Sequence, residues 1–404
     1  MSNKAIIHLD LDTFFVSCER RLNSSLENKP VIVGGVTDRG VVACCSYEAR
    51  RYGITAMMPM KLAKRLCPEA VIIKGQSGSY SKFSNLITQI IKENAPLYEK
   101  ASFDEFYVDM TGMDHFFGTY KWATELRQKI IKESGLPLSF GLSTSKTVSK
   151  VGTGEAKPNN QLRVLSGEEK QFLAPLSVEK IPLVGSKTFQ TLKGLGIEHV
   201  GTVQKMPMAA MRKILGDNGR TIWERSNGID LRPVIAYNER KSISIERTFE
   251  RDTINLYKLR SILIAMAENL AFQLRSGNKL TACVTVRLRY ADLNVFSKQL
   301  RIPFTASDAT LINTAKELFA KLYDRRQMVR LISVRYSHLV EGAHQISLFE
   351  DTEELCNLNQ AMDKMRKRYG QDAVKRAIAM GSNNIGRMNP FTGEPPVIPA
   401  HRRA

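Results

Sequence analysis

Short apolar runs alternate with amphipathic stretches over the first 165 residues. KAIIHLD predicts a strand ending at Asp10, and TFFVSCERRL a helix with Thr13 near its start. VIVGG and VVACCS read as strands about the turn TDRG, YEARRYG and MPMKLAKRLCP as short helical pieces, and AVIIKG as a further strand. A helix over 80–93, strands near 97–101 and 105–109, a helix after Tyr120, the strand LPLSFGLS and a helix over 145–156 follow. This alternation argues for an α/β domain with a small subdomain inserted near 20–75.

From 167 to 232 the pattern turns helical and glycine-punctuated. IPLVGSKTFQTLKGLGI, with a second short helix near Val200, has the form of a helix–hairpin–helix whose backbone N–H groups could approach a phosphate. An ordinary small helical domain would share that pattern. LRPVIAYNERKS is irregular and reads as a linker. Next come a strand near 242–249, a helix near 254–275, strands TACVTVRLRY and VFSKQLRIPF, a helix over 307–322 and the strand VRLISVRYSHL. That β-α-β-β-α-β order is the split-βαβ arrangement. In TACVTVRLRY, Val284, Val286, Leu288 and Tyr290 face one way, Arg287 and Arg289 the other. With Lys298, Arg301, Arg330 and Arg335 this predicts a sheet with one open basic face, either a nucleic-acid platform or a merely solvated surface. The tail holds one helix, EELCNLNQAMDKMRKRYG, before a Gly/Asn/Pro-rich end expected to be flexible.

At 404 residues the chain calls for two to four domains. No stretch approaches eighteen apolar residues, so no membrane span is expected, and the N-terminus reaches Asp10 before a signal core could form. A cytoplasmic location follows as the expectation. Six cysteines without a C-x-x-C pair read as reduced thiols. The formal charge of +19 favours a polyanionic partner, nucleic acid first, although it could simply solubilise the surface.

SFDEFYVD sets Asp104 and Glu105 side by side in a strand-like run. Either they belong to a solvated turn or they join an ion site. HLDLD brings Asp10 and Asp12 to a strand end, and converging carboxylates suit Mg²⁺. Two such ions about 3.5–4 Å apart activate a hydroxyl and stabilise a leaving phosphate. Tyr47 and Arg50 project from one side of a helical turn, and Lys146, Lys150 and Lys157 add positive donors for a triphosphate. No P-loop pattern is present.

In order along the chain, HLDLDTFFVSCE, VVACCSYEARRYGITAMMP, ASFDEFYVDMTG, GLSTSKTVSKVGTGEAKPNN, IPLVGSKTFQTLKGLGI and KSISIERTF resemble motifs of the Y-family, or translesion, DNA polymerases. The nearest pattern is the bacterial polymerase IV and UmuC-like branch. The resemblance implies an α+β multidomain fold. A polymerase palm (1–20 and 76–166) would carry small fingers (21–75) and a helical thumb with the helix–hairpin–helix (167–232). A linker (233–241) would lead to a split-βαβ little finger (242–340) and a C-terminal tail (341–404). It implies Asp10, Asp104 and Glu105 as metal-binding acids, with the Leu11 carbonyl as an extra ligand, for two Mg²⁺ ions that Mn²⁺ could replace. Phe15 matches a steric gate against a ribose 2′-OH, although helical spacing alone reads it as core; Phe14, its neighbour in the nucleotide-binding motif, is expected to pack inward. Tyr47, Arg50 and Lys157 match triphosphate contacts, and Met57, Met58 and Met60 a roof over the nascent pair. Gly185, Lys187, Gly194 and Gly196, with the basic sheet residues, are the implied DNA contacts.

QISLF, Gln345, Ile346, Ser347, Leu348 and Phe349, resembles the motif by which bacterial polymerases bind the sliding clamp. Primer–template DNA, deoxynucleoside triphosphates, the clamp and a UmuD-like accessory protein are the implied partners of a monomer. The second metal motif departs from the usual SIDE followed by Ala: Phe103 and Phe106 are bulkier, which bears on packing rather than on the acids. No second acidic constellation suggests a proofreading nuclease. A nucleotide cyclase on a related palm and a catalytically silent DNA-binding relative are the rival readings.

Overall fold

The computed structural model describes residues 4–113, 118–237, 239–323, 327–342, 352–370, 372–380, 382 and 387–388. The chain divides into two compact units at the boundary between 238 and 239.

In the first unit β1 (Ile6–Leu11) runs into α1 (Phe14–Leu22). β2 (Val31–Gly34), β3 (Val42–Cys45), α2 (Tyr47–Arg50), α3 (Met60–Leu66) and β4 (Val71–Ile73) follow. Then come α4 (Ser77–Asn94), β5 (Tyr98–Lys100), β6 (Glu105–Asp109) and α5 (Thr119–Ser134). β7 (Leu138–Ser143), α6 (Lys146–Ala156) and β8 (Gln161–Arg163) complete a five-stranded sheet of order β5-β6-β1-β7-β8. Along β1 the period of two buries Ile7, Leu9 and Leu11 on one side. There they meet Phe106, Val108, Phe140 and Leu142, with Ile87 and Ile91 of α4 and Ala123 and Ile130 of α5, in one core. The opposite face carries His8 and Asp10 and is covered by α6. Gly141 permits this: a Cβ built there would lie 2.2 Å from the Ser149 carbonyl oxygen of α6. The close approach brings the α6 lysines over the polar face.

A separate three-stranded sheet, β3-β2-β4, packs with α2 and α3 around Ile32, Val42, Ile54 and Met60. Five short helices follow: α7 (Glu169–Leu173), α8 (Ser186–Lys193), α9 (Val200–Lys205), α10 (Met208–Leu215) and α11 (Asp217–Ser226). They share a core of Leu173, Leu192, Val200, Val203, Met211 and Ile222 that extends to Val148 and Val151 of α6. The segment read as a linker is packed down through Ile235. Val234 is buried against Ile6 and Tyr107. The Ile235 N–H donates to Glu99 Oε2 at 2.8 Å, and Glu99 also holds Lys146 at 2.6 Å. One buried β-branched residue and one backbone bond leave no periodic trace in sequence.

In the second unit β9 (Ser242–Thr253), α12 (Leu256–Ser276), β10 (Lys279–Tyr290), β11 (Val295–Thr305), α13 (Asp308–Leu322) and β12 (Val329–Glu341) form the split-βαβ arrangement. Its antiparallel sheet has the order β11-β10-β12-β9 and gains a short fifth strand, β13 (Arg387–Met388), on β9. Val284, Val286, Leu288 and Tyr290 are buried under the helices together with Ile332, Val334 and Tyr336, as the alternation expects. α14 (Thr352–Tyr369) docks through charge. Arg275 of α12 makes a two-pronged contact to Asp363, at 2.6 and 2.9 Å, and reaches Asp308 at 2.6 Å. Arg366 meets Glu268 at 2.7 Å. The helix expected in the tail is thus built into the unit, and most of the Gly/Asn/Pro-rich end beyond it lies outside the described residues. The described cysteines 18, 44, 45, 67 and 283 are free thiols. No helix among the described residues is long and apolar enough to cross a membrane.

Candidate active site

Adjacent acids in SFDEFYVD do not face opposite sides of one strand, because β6 begins only at Glu105. Asp104 lies in the preceding turn. There the Ser102 hydroxyl donates to Asp104 Oδ1 at 2.5 Å and accepts from the Glu105 N–H at 3.1 Å. The Asp104 carbonyl accepts the Leu11 N–H at 3.1 Å, tying the turn to the end of β1. Asp10 and Glu105 are directly opposed across β1 and β6, so both carboxylates leave the α6-covered face. The Leu11 side chain is in the core, so only its backbone is available to the site.

Burial pushes the Asp10 carboxyl up to about 6; Lys157 opposes this, and the charges of Asp104 and Glu105 reinforce it. Asp104 is also raised, first by burial and then by Glu105, against the Ser102 hydroxyl and Lys157. At Glu105 burial works upward, but His8 and Lys150 outweigh it and hold the carboxyl at about 2. Lys150 Nζ lies 2.5 Å from Glu105 Oε2, and Lys157 Nζ lies 2.5 Å from Asp10 Oδ1. Lys146 is spent elsewhere, buried on Glu99 with its ammonium over the Tyr107 ring. Asp12 lies past the end of β1. Its Oδ2 accepts from Ser139 at 2.9 Å and from the Asn159 N–H at 2.5 Å, which fixes the turn following Lys157.

Among the described residues no group of three or more His, Cys, Asp or Glu is arranged to hold a metal ion as it stands. Two lysine ammoniums sit on the oxygens a cation would take. The donor set itself suits a hard divalent ion: all its side-chain atoms are carboxylate oxygens, and their mutual repulsion adds to burial in raising Asp10 and Asp104.

The aromatic pair after the acids splits cleanly. Thr13 adopts φ 44°, ψ 46° at the strand-to-helix turn. Phe14 is 2% exposed and packs inward in the main core, as expected, which leaves its side chain closed to a nucleotide. Phe15 is half-buried, with its ring 4.7 Å from that of Tyr80. The Tyr80 hydroxyl donates to buried Glu19 at 2.5 Å, which holds the supporting ring in place. Sequence reasoning missed this support, because nothing local links Tyr80 to α1.

Tyr47 and Arg50 share one side of α2, the guanidinium 4.8 Å from the ring centre. Ser46 caps this turn by accepting the Ala49 N–H at 3.2 Å. Met57 is exposed, Met58 half-buried, and Met60 belongs to the small core. In the helix–hairpin–helix, Gly185 precedes α8, Lys187 is exposed, Gly194 ends the helix, and Gly196 has φ +75°.

On the second unit, register places Arg287 and Arg289 of β10, Arg301 of β11 and Arg335 of β12 on the face away from the helices. Arg287 is paired there with Glu246 at 2.6 Å. Lys298 is a correction. It opposes Val286, so it points to the helix side, where Nζ donates to the Lys321 carbonyl at 2.8 Å. Arg330 falls within a register shift between Val329 and Leu331, so alternation does not place it on the basic face. Gln345 to Phe349 lie outside the described residues.

The architecture is that of the Y-family polymerases, as solved structures indicate. A Y-family DNA polymerase chimera of Dbh and Dpo4 superposes with a TM-score of 0.71 at 25% identity, over 84% of this chain and 100% of that one. DinB from Sulfolobus solfataricus gives 0.58 at 26% identity, with the same coverage of both chains. Residues 9–154 match the impB/mucB/samB family, and residues 240–348 match its C-terminal domain. DNA polymerase IV of Dehalococcoides mccartyi is 38% identical over 379 residues, covering 93% of this chain and 97% of that protein. The Desulfatibacillum aliphaticivorans DNA polymerase IV is 32% identical over 384 residues, with the same coverage. The chain belongs to the impB/mucB/samB family, the UmuC/DinB-like branch of the Y-family.

Proposed function

We propose that this chain is a template-directed DNA polymerase that adds deoxynucleotides to a primer 3′-OH and copies past damaged bases without proofreading. The observation carrying this is the opposition of Asp10 and Glu105 beside Asp104, with Lys150 and Lys157 lying on their oxygens. Asp10, Asp104, Glu105 and the Leu11 carbonyl would hold two Mg²⁺ ions, with Mn²⁺ a substitute. Bound there, such ions would lower the pKa of the attacking hydroxyl and neutralise charge on the leaving phosphate. Lys150 and Lys157 have a second use: freed from the acids, they become ammonium donors for a triphosphate, together with Arg50 and Tyr47. Phe15 sets its ring where a ribose 2′-OH would fall. Extension of a primer past a lesion tests this reading. We expect insertion opposite the lesion and no trimming of a mismatched primer end; no insertion, or excision, would contradict it.

For DNA, the hairpin residues Gly185, Lys187, Gly194 and Gly196 serve backbone phosphates. So do Arg287, Arg289, Arg301 and Arg335 on the open sheet face. Replacing Arg289 or Arg335 by Ala should lower the slope of log K against log salt by roughly 1 each, while Lys298→Ala leaves it unchanged. Equal slopes for all three would return the face to an ordinary solvated surface.

For partners, Gln345 would orient and Leu348 and Phe349 anchor the chain on the sliding clamp. Leu348→Ala with Phe349→Ala should abolish clamp binding and spare activity on short primers; unchanged clamp affinity would exclude the site. A UmuD-like accessory protein is the second partner the family pattern implies for this monomer.

A further inference from the structure

We propose that His8 is a positioning residue for Glu105, donating from Nε2 to its carboxylate when Lys150 turns to the substrate. This rests on the reading of Glu105 given above.

His8 lies two residues before Asp10 on the same face of β1 and opposes Tyr107. It is therefore the diagonal neighbour of Glu105. The residue is 1% exposed, and its ring is clamped from two directions. The Tyr107 ring lies 4.7 Å away, and Thr153 Oγ1 of α6 lies 2.9 Å from Nδ1. Nε2 finds no hydrogen-bond partner among the described residues and sits 3.8 Å from Glu105 Oε2.

The tautomer follows from counting protons. Thr153 has one hydroxyl proton and three acceptors in reach: His8 Nδ1 at 2.9 Å, the Ser149 carbonyl at 2.9 Å and the His8 carbonyl at 3.0 Å. If the proton goes to a carbonyl, the neutral ring carries its own on Nδ1 and aims an Nε2 lone pair at a carboxylate. If it goes to Nδ1, the ring proton sits on Nε2 and faces Glu105. Beside an anion in a buried site, the second arrangement is favoured.

At 3.8 Å the contact is too long for a hydrogen bond, because Lys150, at 2.5 Å, holds the same oxygen. Once Lys150 leaves, a small rotation of Glu105 closes the gap. His8 is then the buried donor that keeps this carboxylate at a fixed angle, and such sites tolerate only about 0.5 Å of drift.

The test compares His8→Asn with His8→Gln. The Asn amide reaches the Nδ1 position and Thr153; the longer Gln amide reaches the Nε2 position and Glu105. Single-nucleotide insertion is measured with undamaged primer–template, Mg²⁺ and deoxynucleotide, and thermal melting confirms folding. We expect His8→Asn to lower kcat about 10–100-fold, the value of one hydrogen bond to a charged group, with KM for deoxynucleotide unchanged. His8→Gln should recover most of that loss. A folded His8→Asn protein with parental kcat, or a His8→Gln protein equally impaired, overturns the proposal. Glu105→Gln is the control. Near-parental activity there overturns the role of Glu105 and this proposal with it; an inactive control beside a parental His8→Asn overturns the proposal alone.

Discussion

Asp104→Ala and Glu105→Ala should each lower nucleotide addition by at least about 10³-fold, some 4 kcal/mol of transition-state stabilisation, while the protein stays folded. The structure separates these two outcomes. Asp104 sits in a turn and Glu105 at the first position of a strand, both half-buried, so neither supports the apolar core. Asp104 is raised by burial and by the Glu105 charge, so removing it relieves an unfavourable contact in the metal-free protein, whereas removing Glu105 gives up its ion pair with the part-exposed Lys150, a loss outside the core. Steady-state insertion, thermal melting and DNA affinity, measured on each variant, should show the rate alone collapsing. A folded Asp104→Ala protein with near-parental insertion would rule out a metal site built on these acids.

Phe15→Ala should keep much of the deoxynucleotide activity and weaken rejection of ribonucleotides by about 5–150-fold, the effect of relieving a steric clash worth ~1–3 kcal/mol. Phe14→Ala should act on the fold instead, costing about 3–5 kcal/mol as a large-to-small core change. The contrast follows from burial. Phe14 is 2% exposed among core side chains, whereas Phe15 lies half-open against Tyr80, itself held by Glu19. Single ribonucleotide and deoxynucleotide insertion, together with denaturant melts, distinguishes the two. If Phe15→Ala still rejects ribonucleotides as the parent does, the gate lies elsewhere.

Much of this was legible in the sequence wherever burial is one-sided. β10 buries one face completely, so Val284 to Tyr290 alternate and the arginines fall opposite them. Its neighbour β11 is an edge strand with mostly exposed residues on both faces. Polarity there carries no information about direction, so a basic residue such as Lys298 does not reveal that it faces the helices. Helical spacing alone could not tell Phe14 from Phe15, since the pair straddles the boundary between core and site. The docking of α14 depends on ion pairs between residues 88 and 98 positions apart, invisible to local pattern. His8 was within reach, because the HLD spacing places it beside Asp10 on one strand face. Its role needed Thr153, which only the approach of α6 over Gly141 brings near.

Single-nucleotide insertion opposite each of the four template bases, with Mg²⁺ present and then chelated, tests the central claim most directly. The account predicts that the complementary deoxynucleotide is the one favoured on every template and that chelation stops addition. Addition indifferent to the template base, or undiminished by chelation, would contradict it.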